Sequence, residues 1–210
     1  MQKISPHKIA FDILNQVIFH NAYLSDQFNL YKDITPFSKA LCFNSCRYFY
    51  LLKDILNKYI KKPLKTDNNS SKSIKNQAVE TALIMGLCQL IFMDIKPYAA
   101  VNETLNCLNT KKNQWGRGLV NGVLRSYLKN NKNKINNTNN NKQIITDWIN
   151  DLQTQNKSGS NYWIVNKIIN NYKKNADKII QSMLEHPPMS IRINTSIISK
   201  ENYLAKLRKN

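Results

Sequence analysis

The sequence predicts an all-α protein, because apolar residues recur at helical spacing in most segments and the strand and turn patterns of β folds are few. Its 210 residues include only five glycines, and 42% are hydrophobic, enough for the core of one large domain. Residues 74–92 are apolar on most sides, which indicates the central helix of a bundle. Polar residues interrupt this helix, so it lacks the unbroken run of about 18 apolar residues that indicates a membrane span.

Three helices are predicted before the central helix. The first has Ser5 as its N-cap and Pro6 in its first turn. A short helix follows from Ser25, and a long one runs from Pro36 to Ile60. The aromatic residues of the long helix have the spacing of core residues, so we do not interpret them as a platform for stacked bases.

Two helices are predicted after the central helix. One starts at Pro97 and Tyr98, and the other follows Trp115 and runs to Lys129. Gly122, in the middle of the second helix, costs about 1 kcal/mol relative to alanine, so we expect it to permit a close contact with another helix. That helix also carries a mostly basic stripe of side chains spaced four apart, opposite its apolar residues. The stripe consists of Arg117, Asn121, Arg125 and Lys129.

The composition changes after residue 129. Residues 130–141 are almost wholly asparagine and lysine, which predicts a flexible loop and a subdomain boundary. Helices are predicted at 144–152, 162–172 and 176–184, with a loop at 156–159. Residues 189–194 then alternate apolar and polar side chains, as a strand does, and Ser199 caps a final helix at 201–207. Because one strand cannot make a sheet, we expect this end to be an incomplete strand–helix unit.

The net charge of +18 indicates a polyanionic partner, of which nucleic acid is the commonest. Lysine, asparagine and isoleucine are all abundant, however, and such a bias can also reflect the composition of a whole proteome. Positive charge also collects at the start of the first helix, in Lys3, His7 and Lys8. The dipole of a helix favours anions at that end, so these side chains either serve a phosphate ligand or are tolerated on the surface.

The four cysteines, Cys42, Cys46, Cys88 and Cys107, lie among apolar residues and lack the spacing of a zinc or redox motif. Two of them are four residues apart and could face a metal ion together, but no histidine or further cysteine lies near them in sequence. We therefore predict buried structural thiols, no metal site, and the reducing cytoplasm as the location. The start of the chain is not that of a signal peptide.

The sequence predicts no catalytic residues. It has no glycine-rich phosphate loop and no spaced set of serine, histidine and aspartate or of cysteine and histidine. His7, His20 and His186 are isolated, and isolated histidines are usually surface or capping residues.

Three motifs resemble the NusB family over about residues 3–130. They are Ala-Leu-Ile-Met-Gly-Leu-Cys-Gln-Leu at 82–90, Pro-Tyr-Ala-Ala-Val-Asn-Glu at 97–103 and Leu-Val-Asn-Gly-Val-Leu-Arg at 119–125. The resemblance implies two packed three-helix bundles that bind RNA. It places RNA contacts at Lys3, Lys8, Arg117, Asn121 and Arg125. Asn121 has a second interpretation, in which its side chain holds a loop by hydrogen bonds.

The segment after the loop resembles the linker of the bacterial 16S rRNA cytosine-5 methyltransferase RsmB family. The resemblance rests on Tyr162–Trp163 and on the Pro187–Pro188 strand with Arg192 and Asn194, which opens the catalytic half in that family. The family's S-adenosylmethionine loop is glycine-rich and its catalytic cysteines follow proline and threonine; the sequence contains neither feature. We therefore expect no cofactor in this chain, and S-adenosylmethionine only in a catalytic domain that is missing from it.

These observations divide the chain into four parts. Residues 1–130 form a NusB-like RNA-binding domain, 131–143 a low-complexity loop, 144–186 a helical linker subdomain and 187–210 the start of a truncated methyltransferase subdomain. The first functional hypothesis is the RNA-binding N-terminal region of a 16S rRNA methyltransferase, whose partners are 16S rRNA and a separate catalytic domain. The alternative is a stand-alone NusB-like protein of transcription antitermination, which docks a ribosomal or transcription protein. The unfinished end favours the first, and neither involves a membrane.

Overall fold

The all-α prediction is confirmed. A computed structural model describes residues 4–66, 70–131, 138–155, 163–185 and 190–208, and these residues form α-helices and short 3₁₀ turns without a β-strand. The α-helices are α1 (Pro6–Phe19), α2 (Leu24–Asn29), α3 (Pro36–Arg47), α4 (Phe49–Tyr59), α5 (Ser71–Phe92), α6 (Pro97–Asn106), α7 (Arg117–Asn130), α8 (Thr138–Gln155), α9 (Trp163–Tyr172), α10 (Ala176–Leu184) and α11 (Lys200–Leu207).

The central helix α5 is surrounded by its neighbours, as its apolar sequence predicts. Every residue from Asn76 to Ile91 is buried, and α1, α3, α4, α6 and α7 all pack against the helix. Only the first turn reaches the surface, where Ile74 is 52% exposed. The core of residues 5–130 is therefore built around one helix that shows almost no face to water.

The polar side chains of α5 are paired where they are buried. The side-chain amides of Asn76 and Gln77 donate to the carbonyls of Lys65 and Thr66, at 2.8 and 2.9 Å. On the next turn Glu80, which is 3% exposed, forms an ion pair with Lys53 on α4, with 2.9 Å between Oε1 and Nζ, although this oxygen accepts no hydrogen bond. A buried polar group without a partner costs free energy, so each of these contacts fixes which neighbour lies against which side of α5.

A hydrogen-bonded chain joins α1, α5 and α6. The Gln89 amide nitrogen donates to Thr104 Oγ1 at 3.1 Å, and Gln89 Oε1 is 3.0 Å from His7 Nε2. Because Gln89 offers an oxygen there, His7 Nε2 must be the donor, which sets the tautomer of the ring. The His7 ring also packs on Phe37, with 4.6 Å between ring centroids. His7 is therefore neither free nor isolated, although the sequence shows no partner near it.

The predicted helix from Pro36 to Ile60 is two helices, with a bend at Tyr48. Two backbone hydrogen bonds span the bend: Tyr48 N–H donates to Asn44 O at 3.0 Å, and Leu52 N–H donates to Tyr48 O at 2.8 Å. The Tyr48 ring stacks on Phe92 at the end of α5, with centroids 3.7 Å apart. We attribute the bend to this tertiary contact. It could not be predicted from the apolar periodicity of residues 36–60, because Phe92 lies outside that segment.

The expected close helix contact at Gly122 is wrong. Gly122 is exposed, and a methyl group placed on it would meet no neighbouring atom within 4 Å. The close approaches are at Gly116, where the added carbon would lie 2.3 Å from Val79 Cγ2, and at Gly86, where it would lie 2.7 Å from Leu124 Cδ1. The reason is helical phase, since Gly122 lies on the side of α7 that faces away from α5.

The prediction of a flexible loop at 130–141 is wrong at both ends, because Asn130 is the last residue of α7 and α8 begins at Thr138 and not near residue 144. Helix formation adds one hydrogen bond per residue once a turn exists, so a packed helix can extend into a polar segment. Inside α8, Thr146 Oγ1 donates to Lys142 O at 2.9 Å and the Gln143 amide donates to Asp147 at 2.7 Å. Residues 132–137 and the expected loop at 156–159 lie outside the described residues.

Helix α8 is joined to α4 by polar contacts and also packs on α10. Ile145, Trp148, Ile149 and Leu152 are buried. Trp148 Nε1 donates to Asp54 Oδ2 at 2.8 Å in a buried hydrogen bond, and Lys58 lies 3.4 Å from Asp151. The beginning of the predicted linker is thus anchored to the bundle that precedes it.

The three helices predicted toward the C-terminal end are present as α9, α10 and α11, but the described part of the predicted strand at 189–194 is not a strand. Helices α9 and α10 pack on each other, and Ser199 caps α11 by accepting from Asn202 N–H at 3.3 Å. Residues 190–194 make no strand pairing, and the rest of that segment lies outside the described residues. A strand requires a partner for its backbone groups, and the described residues supply none beside it.

The cysteines are buried, as predicted, except that Cys46 is only half-buried. None of the helices in the described ranges is long and apolar enough to cross a membrane. In the same ranges, no three histidine, cysteine, aspartate or glutamate side chains are grouped so that they could hold a metal ion.

The unfolding free energy should fall as the pH is lowered below 6.5. Burial lowers the pKa of His7 from its ordinary 6.5, against the Gln89 hydrogen bond and the charge of Glu103. The unfolded chain therefore binds a proton at a higher pH than the folded one, and stability is lost as the pH falls through the unfolded pKa. Urea unfolding at pH 7.5 and 5.5 measures the loss, which His7→Gln should reduce. An equal loss in both proteins would contradict the assignment.

The substitutions Gly116→Ala and Gly122→Ala should have opposite effects. At Gly122 the added methyl meets open space and improves helix propensity, so the free energy of unfolding should rise by about 0.5–1 kcal/mol. At Gly116 it collides with Val79, so the free energy should fall by about 1–3 kcal/mol. Urea denaturation of the two variants compares them directly, and effects of the same sign would show that the packing described here is wrong.

Candidate nucleic-acid interface

The residues expected to contact RNA lie in two places around α6. Arg117, at the start of α7, and Lys8, on α1, lie near the C-terminal end of α6. Asn121 and Arg125 lie further along α7, beside a groove that α7 forms with α6. Lys3 lies outside the described residues.

Arg117 holds the end of α6. Its Nη1 donates to Leu105 O at 2.7 Å and to the side-chain oxygen of Asn109. The carbonyl belongs to the last turn of α6, where backbone oxygens lack partners within the helix. Both acceptors are neutral, so the guanidinium keeps its full positive charge. Arg117 is thus a structural capping residue and a source of uncompensated charge at the same time.

Arg125 is exposed and is oriented by its neighbour one turn earlier. Its Nε donates to Asn121 Oδ1 at 2.8 Å, the i, i+4 arrangement that a helix surface favours. The second interpretation of Asn121, as a residue that holds a loop, is not what the described residues show, since its oxygen accepts from its own helix. The amide carries no charge, so the positive charge of Arg125 is available to a ligand.

Lys8 differs, because its charge is compensated. Its ammonium group forms an ion pair with Asp12 and lies 4.8 Å from the centroid of the Phe11 ring. Burial raises the pKa of the Cys107 thiol to about 12, and the Lys8 charge opposes this, which places Lys8 near the end of α6. Of the basic residues at the start of α1, His7 serves the core and Lys8 is paired, so this end carries less free charge than its sequence indicates.

The groove between α6 and α7 has a volume of about 290 Å³ and is open to solvent. It is lined by apolar side chains, two amides, one guanidinium and one phenol. The lining residues are Pro97, Tyr98, Val101, Asn102, Leu105, Asn121, Arg125 and Leu128. Tyr98 is 80% exposed. A concave site with apolar walls and a few polar groups is the usual form of a ligand-binding site.

Sequence reasoning missed part of this surface. Exposed lysines flank α6 at both ends, Lys96 before it and Lys111 and Lys112 after it. The adjacent Lys111 and Lys112 in the polar turn already indicated positive charge in the sequence. Tyr98 and Asn102 gave no such signal, because only the packing of α6 on α7 brings them beside Arg125.

Comparison with protein families decides what kind of chain carries this surface. Residues 5–129 match the model of the NusB family. The chain belongs to the NusB family. Its residues 161–210 match a second model, the ferredoxin-like domain of RsmF/B-like methyltransferases. The resemblance inferred from the three motifs is therefore confirmed. The second match begins inside the segment that the sequence assigned to a helical linker, and the division into four parts stays a prediction.

Several curated relatives are ribosomal RNA small subunit methyltransferases B. The chain is 30% identical to that of Proteus mirabilis over 206 residues, which cover 96% of this chain and 44% of the relative. It is 29% identical to that of Pasteurella multocida over 205 residues, which cover 95% of this chain and 41% of the relative. The chain thus spans about two fifths of the length of these relatives. No solved structure matches it.

Replacing Arg117 by methionine should destabilise the protein, and the same change at Arg125 should not. Arg117→Met removes the capping bonds to Leu105 and Asn109, and we expect the free energy of unfolding to fall by about 1 kcal/mol. Arg125→Met removes only a surface bond worth about 0.2–0.5 kcal/mol. Urea denaturation of both variants tests the distinction. A loss for Arg117→Met of only about 0.2–0.5 kcal/mol, the value of a surface bond, would contradict the capping role.

Proposed function

We propose that this chain is the RNA-binding N-terminal region of an RsmB-like 16S rRNA cytosine-5 methyltransferase and acts in the cytoplasm. One observation carries the proposal: a NusB-family domain at 5–129 is followed in the same chain by a match to the RsmF/B ferredoxin-like domain at 161–210. The curated relatives that match 95–96% of this chain are, by name, ribosomal RNA small subunit methyltransferases B. The second match favours this function over that of a stand-alone NusB-like protein in transcription antitermination.

The charges on the α6–α7 surface support RNA as the partner. The chain carries a net charge of +18, and Arg117 and Arg125 both present guanidinium groups whose recorded partners are neutral. Such groups bind phosphates and release condensed counterions, which is the main source of affinity for nucleic acids. We propose Arg125 and Arg117 as the principal contacts, Asn121 as the residue that orients Arg125, and Lys8 and Lys3 as lesser contacts.

We propose that methyl transfer is carried out by residues outside the described part of this chain. The four described glycines, Gly86, Gly116, Gly118 and Gly122, lie in helices or a 3₁₀ turn, and so offer no loop that would cradle S-adenosylmethionine. A catalytic cysteine must reach its thiolate form. Burial instead raises the pKa of Cys42, Cys88 and Cys107 to about 12 and that of Cys46 to about 11. We propose a separate catalytic domain as the partner that supplies the cofactor site.

RNA binding should depend steeply on salt and should lose one contact when Arg125 is changed. With about four phosphate contacts, the slope of log affinity against log salt should be about −3 to −4. Arg125→Gln should make the slope less negative by about 0.7–0.9. Lys8→Gln should change it less, because Asp12 already compensates that charge. Fluorescence anisotropy with labelled small-subunit rRNA fragments between 50 and 200 mM salt measures all three, within the range used for such slopes.

Two outcomes would contradict the proposal in different ways. Absence of RNA binding at 50 mM salt, the low end of that range, would mean that the proposed function is wrong. If RNA binds but Lys8→Gln changes the salt slope more than Arg125→Gln does, the proposed function stands and the interface lies on α1 rather than on α7.

A further inference from the structure

We infer that the groove between α6 and α7 accepts one unpaired nucleotide, whose base stacks on Tyr98 while its phosphate binds Arg125. The inference rests on the proposed function and adds to it the form of RNA that this surface selects. Its basis is one exposed aromatic ring, one uncompensated guanidinium and two side-chain amides that line a single groove.

The exposure of Tyr98 is the first observation. Pro97 begins α6, and Tyr98 in the first turn is 80% exposed, whereas Tyr48 and Tyr127 of the same domain are 7% and 5% exposed. Those two rings serve the core: one stacks on Phe92, and the other lies 5.7 Å from the Tyr59 ring in an edge-to-face contact. The Tyr98 ring is thus a large planar surface that folding does not use, and stacking on such rings is how proteins hold unpaired bases.

Both walls of the groove supply the complementary groups, Arg125 and Asn121 from α7 and Asn102 from the same helix as Tyr98. Arg125 projects its charge there with its orientation set by Asn121, at 2.8 Å. Asn102 and Asn121 bring amides, which hydrogen-bond to base edges, to the same groove. Val101 and Leu105 of α6 add apolar surface to the lining. The groove thus offers a ring for one face of a base, amides for its edge and a cation for its phosphate.

The geometry selects unpaired RNA. In an A-form duplex the bases are stacked on each other and their faces are covered, so a ring on the protein surface cannot reach them. A base in a loop, bulge or end can be splayed out and stacked on an aromatic side chain. The Arg125 charge alone would not distinguish the two forms, because both present phosphates. Tyr98 should therefore give the preference for unpaired nucleotides, and Arg125 should contribute to binding of either form.

The test compares Tyr98→Ala with Tyr98→Phe in the full 210-residue chain, on two RNAs of equal length, one unstructured and one fully paired. Tyr98→Ala should weaken binding of the unstructured RNA by about tenfold, the lower part of the range for loss of one base stack. The salt slope should not change, because no ionic contact is lost. Tyr98→Phe keeps the ring and should bind as the original protein does. Affinity for the duplex should be the same in all three proteins.

A matched control uses another exposed tyrosine. Tyr23, in the turn before α2, is 76% exposed and lies outside the groove. Tyr23→Ala should leave binding of both RNAs unchanged. Urea unfolding of each variant confirms that Tyr98→Ala is folded, which is expected because the exposed ring contributes little to the core.

Three results would overturn the inference. If Tyr98→Ala binds unstructured RNA within twofold of the original protein while Arg125→Gln still reduces the salt slope, the groove binds phosphate only, or Tyr98 serves a protein partner. An equal loss on duplex and unstructured RNA would show that the ring does not read unpaired bases. Absence of binding to either RNA by the original protein would overturn the proposed function as well, so the two failures are distinct.

Discussion

The burial of α5 on every side is the constraint on which the rest of the structure depends. A helix without a solvent face must satisfy each of its polar side chains inside the protein, because water cannot do so. Glu80 meets Lys53 of α4, Gln77 meets the backbone before α5, and Gln89 joins α1 to α6. An apolar helix could slide or rotate among apolar neighbours at little cost. These polar contacts allow one register, and so fix the positions of the surrounding helices.

The position of the candidate interface follows from the same core. Leu124 of α7 packs against Gly86 of α5, so closely that even a methyl group at Gly86 would lie 2.7 Å from Leu124 Cδ1. The next residue, Arg125, projects from the other side of α7 into the groove with α6. The distance between α7 and α5 therefore determines the distance between the Arg125 guanidinium and α6. Gly86 therefore determines the width of the groove, although it does not line the groove.

Local signals in the sequence predicted the helices well, and long-range contacts account for the differences. The caps at Ser5 and Ser199, the proline at the start of α6 and the apolar character of α5 are properties of a few neighbouring residues, and each was confirmed. The bend at Tyr48 depends on Phe92, and the packing of Gly116 depends on Val79. Neither partner can be read from the helix concerned.

The candidate site shows the same division. Spacing by four identified the basic side of α7, because helical periodicity is local. It could not show that Lys8 is neutralised by Asp12, since several side-chain arrangements were open to that lysine. It also could not identify Tyr98, whose sequence context is that of an ordinary first turn. The groove exists only because α6 and α7 pack side by side, so its residues become a set in the folded protein alone.

The buried bond between Trp148 and Asp54 has a consequence for how two parts of the chain act together. It ties α8 to α4, so the polypeptide that continues past residue 155 departs from a defined point on the NusB-family bundle. A segment tethered at a fixed point explores a small volume, and its effective concentration near RNA held by the bundle is correspondingly high. A weak contact between RNA and the later segment would then become an intramolecular event. The tryptophan anchor, distant from any phosphate, would thereby raise the overall avidity for one RNA molecule.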